Sequence, residues 1–241
     1  MKIPVVKEWG SWAVFVSSWA AALAAAQRTA VPGTEGGSSV ITGMTILGLA
    51  LLINAKNPLA SLLRARGRGK EPLWWSFFFS MTGLVLLMPF LIQGIQEFAI
   101  FSLLVLSYGI LLHRGKEHSL AAELNGFALL TLAAPVVFFT AVGELSLRLY
   151  AAVFLFFAAG VFKVRVRTRK TLQYRWIMGI YCVLAAGVCA VMDIPLILLI
   201  PLAENILSAA VMREERLRAT GYTELVKGIA FIVLMGMFWK Y

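Results

Sequence analysis

Lys163-Val-Arg-Val-Arg-Thr-Arg-Lys170, with Arg175 just beyond it, is the densest charge cluster in the chain, and it lies between two long apolar runs. A tract of the same kind, Arg64-Ala-Arg-Gly-Arg-Gly-Lys70, stands earlier, again between apolar runs. Both read as loops kept on the cytoplasmic side, because Lys and Arg accumulate in loops that are not translocated. The rest of the chain is read outward from that placement.

Composition agrees with a membrane setting. Hydrophobic residues make up 60% of the chain, charged residues only 14%, and the mean hydropathy is +0.83, where a soluble domain carries about 25% charged residues. The net charge of +10 does not call for nucleic acid, since insertion alone places basic loops on an integral membrane protein. Cys182 and Cys189 are seven apart in one apolar run. They share a helix face and cannot bridge each other, so they report neither redox compartment nor zinc.

With about 18 mainly apolar residues taken as one span, about nine spans are expected, near 9–26, 39–55, 72–92, 96–112, 119–140, 145–162, 176–192, 195–212 and 222–238. Lys2 and Lys7 before the first run and Ala24-Ala-Ala26 at its end also suit a cleavable signal peptide. Glu8 and two early tryptophans favour a retained span. The link Gln93-Gly-Ile95 is expected to turn the chain back, making the third and fourth spans antiparallel neighbours. With the N-terminus inside, about 18 of the 22 basic residues fall on the cytoplasmic side, Arg28, Arg148 and Lys240 being the outside exceptions and Lys227 lying just within the ninth span. No extramembrane segment is long enough for a soluble domain. The expectation is an all-α, polytopic integral membrane helical bundle forming a single domain over 1–241, in the cytoplasmic membrane, N-terminus cytoplasmic and C-terminus outside.

A charge inside hydrocarbon costs roughly 2.5 to 3.5 kcal/mol on insertion scales, which makes intramembrane acids and bases the best candidates for function. Glu204 lies near the middle of the eighth run, beside Asn205, with Ser208 one turn on and Pro201 before it. It reads either as a carboxyl bonded to a neighbouring helix or as a ligand or proton site. Other polar residues gather toward the cytoplasmic ends of spans: Glu8 and Trp12, Asn54 and Lys56, Glu123 and Asn125, Glu224 and Lys227. Each alone is an ordinary interfacial or snorkelling side chain; together they outline a pocket open to the cytoplasm. The basic tracts read as topology signals or as binders of phosphate on a lipid headgroup or a diphosphate substrate. His113 and His118 lie in a loop rather than facing each other within the bundle, so neither bis-histidine haem nor zinc is expected, and no cofactor is implied.

Lys7-Glu-Trp-Gly-Ser-Trp-Ala13 resembles the Lys-Glu-His-Gly-Ala-Trp-Ala opening of the YwiC-like membrane proteins, with Trp9 where His is expected. Ser119-Leu-Ala-Ala-Glu123, the basic end of the sixth span and Gly221-Tyr-Thr-Glu224 extend the resemblance over most of the chain. That family is similar in layout to the UbiA prenyltransferase superfamily, whose nine helices carry two aspartate-rich motifs that hold magnesium on an isoprenyl diphosphate. Here the corresponding span ends read Asn54-Ala-Lys-Asn57 and Lys163-Val-Arg-Val-Arg167, and the only aspartate in the sequence, Asp193, lies toward the opposite side. Magnesium wants oxygen ligands and normally a carboxylate beside the phosphates. The resemblance therefore implies a UbiA-like bundle that binds an isoprenoid, quinone or other membrane lipid from the cytoplasmic leaflet, without magnesium-dependent prenyl transfer. In that expectation Glu204 and Asn205 line the deep end, Asn54, Lys56, Lys163 and Arg165 meet an anionic headgroup, and Glu8, Glu123 and Glu224 frame the mouth. The alternatives are a small-solute or proton-coupled transporter with Glu204 at its site, an assembly subunit of a membrane complex, and an active prenyltransferase.

Overall fold

In a computed structural model, residues 9–29, 38–64, 70–115, 119–210 and 217–240 are described. Among them there are helices and no strands. In chain order the α-helices are α1 (Trp9–Thr29), α2 (Ser39–Arg64), α3 (Lys70–Phe98), α4 (Ser102–His113), α5 (Leu120–Thr131), α6 (Ala133–Val142), α7 (Leu147–Arg169), α8 (Leu172–Val191), α9 (Ala203–Ala210) and α10 (Leu217–Phe238). Two 3-10 segments, Ala99–Phe101 and Leu196–Leu202, lead into α4 and α9.

Among the described residues seven stretches are long and apolar enough to cross a membrane: Trp9–Thr29, Ser39–Lys56, Leu73–His113, Leu120–Val142, Leu147–Arg169, Leu172–Val191 and Ala219–Phe238, with Leu196–Ala210 as a shorter apolar helix. The surface of α3 carries uncovered Phe77, Met81, Val85, Met88 and Ile92, and that of α8 carries uncovered Trp176, Ile180, Val183, Leu184 and Val191. Apolar faces this extensive do not stand in water on a soluble monomer, and hydrocarbon is the medium that suits them.

Two expectations about chain turns are corrected. The link Gln93-Gly-Ile95 is not a turn: α3 runs on through it, and the helix first tightens at Ala99–Phe101. Gly94 sits in that helix because the ring of Phe139 packs on it; a Cβ there would stand 3.0 Å from Cε1. The resulting apolar stretch of 41 residues has a helical length of about 60 Å, twice a hydrocarbon core. α4 then packs on α5. The basic tract 163–170 is likewise not a loop, because α7 continues to Arg169 and only Lys170, in the left-handed region at φ 50°, ends it. Arg, Lys and Val without Gly or Pro give no reason to stop a helix, and cations suit its C-terminal end.

The 3-10 geometry of Leu196–Leu202 contains Pro201, whose ring and missing N–H are incompatible with a regular α turn. Pro135 explains the parallel break between α5 and α6, since it cannot donate to Thr131.

Small residues set the closest helix approaches. A Cβ on Gly48 of α2 would stand 2.9 Å from the Gly83 carbonyl of α3, and one on Gly83 equally close to the Gly48 carbonyl, so the two backbones touch where neither has a side chain. α1 offers Ala21, Ala22 and Ala25, all fully buried, and packs against α6 and α10. The central core joins Phe138, Leu149, Val153, Met178, Leu198, Phe231 and Met235, with Phe156 stacked on Phe231 at 4.1 Å.

Arginines close helix ends. Arg175 donates to the carbonyls of Ala209 and Ala210 at 2.5 and 2.6 Å, satisfying the last turn of α9. Arg28 donates to the Gly236 carbonyl at 2.8 Å and also to that of Met237, doing the same for α10. Arg148 donates to the backbone carbonyl of Asp193, pairs with its carboxylate at 3.7 Å and lies over the ring of Trp239. Two of the basic residues that the charge asymmetry left outside thus have structural partners at helix ends.

Candidate functional site

α7, α9 and α10 meet in a layer of charge. Lys163 stands six residues before the end of α7, Glu204 six before the end of α9, and Glu224 seven after the start of α10. At 1.5 Å per residue these positions are all about 9 to 10 Å from the ends of their helices. The α7 and α9 ends concerned are held by Lys170 as the α7 cap and by Arg175 on α9.

The contacts form a closed set. Lys163 Nζ lies 2.5 Å from Glu204 Oε2 and 2.9 Å from Glu224 Oε1. Lys227 Nζ lies 2.5 Å from Glu224 Oε1 and 3.2 Å from Glu204 Oε2. It also donates to Asn205 Oδ1 at 2.5 Å, while the Ser208 hydroxyl donates to Glu204 Oε1 at 2.6 Å. Two ammonium groups and two carboxylates sum to zero charge, which is how such groups persist inside a membrane bundle. Glu224 Oε1 is within ion-pair distance of both lysines.

Burial is uneven. Lys163 is 1% exposed and Lys227 6%, whereas the side chains of Glu204 and Glu224 are 34% and 33% exposed. The ammonium groups form the back of the layer and the carboxylates its accessible side. Asn205 is fully enclosed, and its Nδ2 has no partner among the described residues.

A second feature lies on the neighbouring face of α7. Gly160, Val161, Val164, Arg165, Thr168 and Arg169, with Glu123 and Phe127 of α5, line a cavity of about 380 Å³. These α7 positions recur at intervals of four, as Gly160, Val164, Thr168 and as Val161, Arg165, Arg169, so they form one stripe. One end is apolar and the other basic. Arg165 Nε donates to Glu123 Oε2 at 2.9 Å within it. Gly160 belongs to both features, since a Cβ on it would lie 3.6 Å from Glu224 Oε2.

The residues singled out from sequence are therefore distributed as follows. Glu204, Asn205, Lys163, Glu224 and Lys227 come together in the charge layer, and Arg165 and Glu123 in the groove. Lys163 is held inside by Glu204 and Glu224, and Glu224 stands in the layer with a third of its side chain exposed. Asn125 bonds to Ser107 of α4. Asn54 turns its amide onto the Ala50 carbonyl of its own helix at 3.0 Å, and it and Lys56 belong to α2, which packs chiefly on α3 and α6. Trp12 packs edge-on against Phe15 in α1. Glu8 and His118 lie outside the described residues. Phe127 and Gly160 were not singled out, and Thr168 and Arg169 were read only as part of the basic tract; the four-residue recurrence along α7 was the available signal.

Among the described residues no group of three His, Cys, Asp or Glu is placed to share a metal ion. No family model, curated protein or solved structure matches the chain.

Proposed function

We propose that this protein is a nine-span, UbiA-like bundle of the cytoplasmic membrane, N-terminus inside and C-terminus outside, that binds a membrane lipid from the cytoplasmic leaflet. The observation that carries this reading is the groove between α5 and α7. Its walls are apolar at Phe127, Val161 and Val164 and become basic at Arg165 and Arg169, with the Thr168 hydroxyl between them. An acyl or isoprenoid chain suits the first part, and guanidinium groups suit phosphate oxygens in the second. An anionic headgroup would compete with Glu123 for Arg165, which gives the site a built-in preference for ligands that offer more than one acceptor.

The nine-span reading counts the 41-residue apolar stretch as two crossings and Leu196–Ala210 as a short one. The YwiC-like and UbiA-like resemblance adds the expectation of an isoprenoid or quinone ligand. By that resemblance Lys163 and Arg165 take the positions of the superfamily's carboxylates, and Lys163 is already neutralised by Glu204 and Glu224, so binding rather than magnesium-dependent prenyl transfer is the activity proposed.

A photoreactive amino acid in place of Val164, which is 44% exposed in the groove, tests this reading. It is expected to cross-link a restricted lipid class, while the same label at Ile180 on the outer face of α8 cross-links bulk lipid. The same lipid mixture at both positions would count against a binding groove. The charge layer favours a second reading, proton-coupled transport, because paired intramembrane acids and bases often mark ion pathways. Solute uptake by proteoliposomes that is abolished by Glu204→Gln would support it, and uptake unchanged by that substitution would remove it.

A further inference from the structure

The asymmetry of the charge layer determines the sign of what it can receive. Its lysines are buried and its carboxylates are a third exposed, so an approaching group meets carboxylate oxygen before it meets ammonium. Glu204 uses both oxygens, Oε2 for the lysines and Oε1 for Ser208. Glu224 does not: the lysines approach Oε1, and Oε2 takes no hydrogen bond from the described residues. That open acceptor faces Gly160, which also lines the basic groove. Behind it Asn205, 1% exposed, keeps an unmet Nδ2 donor while its Oδ1 is held by Lys227.

Gly160 thus meets the free oxygen of Glu224 and lines the same cavity as the two arginines. Gly160 and Arg165 are five residues apart, roughly 7.5 Å along the helix axis. Resting on the groove reading above, we propose that the groove and the charge layer together take a zwitterionic headgroup: a phosphate on Arg165 and Arg169, joined by a short link to a primary amine on Glu224 Oε2. The chemistry is that of an aminophospholipid or of its soluble headgroup.

The test titrates the wild-type chain in detergent with phosphatidylethanolamine, its N-methylated series up to phosphatidylcholine, phosphatidylglycerol and soluble phosphoethanolamine, with bound ligand counted by native mass spectrometry. Each added methyl removes an N–H donor and keeps the charge, so affinity should fall about tenfold across the series, the size of one charge-assisted hydrogen bond. Glu224→Gln should abolish that preference, so that phosphatidylethanolamine and phosphatidylcholine bind alike. Binding of phosphatidylethanolamine alone identifies a lipid source, and competition by phosphoethanolamine identifies the headgroup as sufficient; either supports the proposal. Equal binding of all the phospholipids by the wild type would overturn the amine assignment and leave the groove standing, without relying on the folding of any variant. Failure to hold any phospholipid would remove both.

Discussion

Lys163 of α7 and Glu204 of α9, 41 positions apart in sequence, are joined by a direct contact of 2.5 Å between Nζ and Oε2. Neither residue therefore has the role its neighbours in sequence suggest. Lys163 opens a basic tract but is withdrawn from it into the bundle, and Glu204 is an acid in an apolar run whose charge is met by two lysines. The paired state explains how an apolar chain tolerates four charges in one layer.

Lys163→Met should be among the most destabilising single substitutions, because it leaves Glu204 and Glu224 facing one ammonium instead of two. Breaking a buried pair from one side costs about 3 to 5 kcal/mol, and the partial exposure of both carboxylates moves the expected value to the lower end. Adding Glu204→Gln to Lys163→Met restores neutrality and should recover part of the loss. Denaturant unfolding of the two single variants and the double variant measures this, and strictly additive losses would show that the contact carries no coupling.

Gly48→Leu should separate α2 from α3, since even a Cβ there meets the Gly83 carbonyl at 2.9 Å. A loss of about 1 to 3 kcal/mol is expected for overpacking of this kind. Gly109→Leu on α4, where a Cβ meets nothing within 4 Å, is the matched control and should leave unfolding unchanged.

The 41-residue apolar stretch crosses twice if nine spans are right. A cysteine in place of Glu97 should then react with a membrane-impermeant maleimide from outside, and one in place of Gly115 only after the inner face is opened. Native Cys182 and Cys189 are buried and should give no background. Labelling of both positions from the same side would refute the separate crossings.

Helix content and membrane character were legible in the sequence because both depend on local composition. The apolar runs map onto helices. The errors arose where tertiary contact decides. Gln93-Gly-Ile95 has turn composition, yet Gly94 serves to let Phe139 pack on α3. Lys163 to Arg169 has loop-like charge but no helix breaker, and it continues α7. Glu204, Asn205, Glu224 and Lys227 were recognisable one by one, because polar groups in apolar runs stand out. Their assembly with Lys163 was not recognisable, since no periodicity reports which helices are neighbours. The groove was hidden for the same reason: Thr168 and Arg169 gain meaning only beside Glu123 and Phe127 of α5.

Lipid binding in the α5–α7 groove is tested most directly by native mass spectrometry, with lipid identification, of protein extracted gently from its own membrane, comparing the wild type with Arg165→Gln/Arg169→Gln. A lipid held one to one by the wild type and lost from the double variant is the predicted result. A wild-type chain that emerges bare, or a double variant that keeps the same lipid, would contradict it.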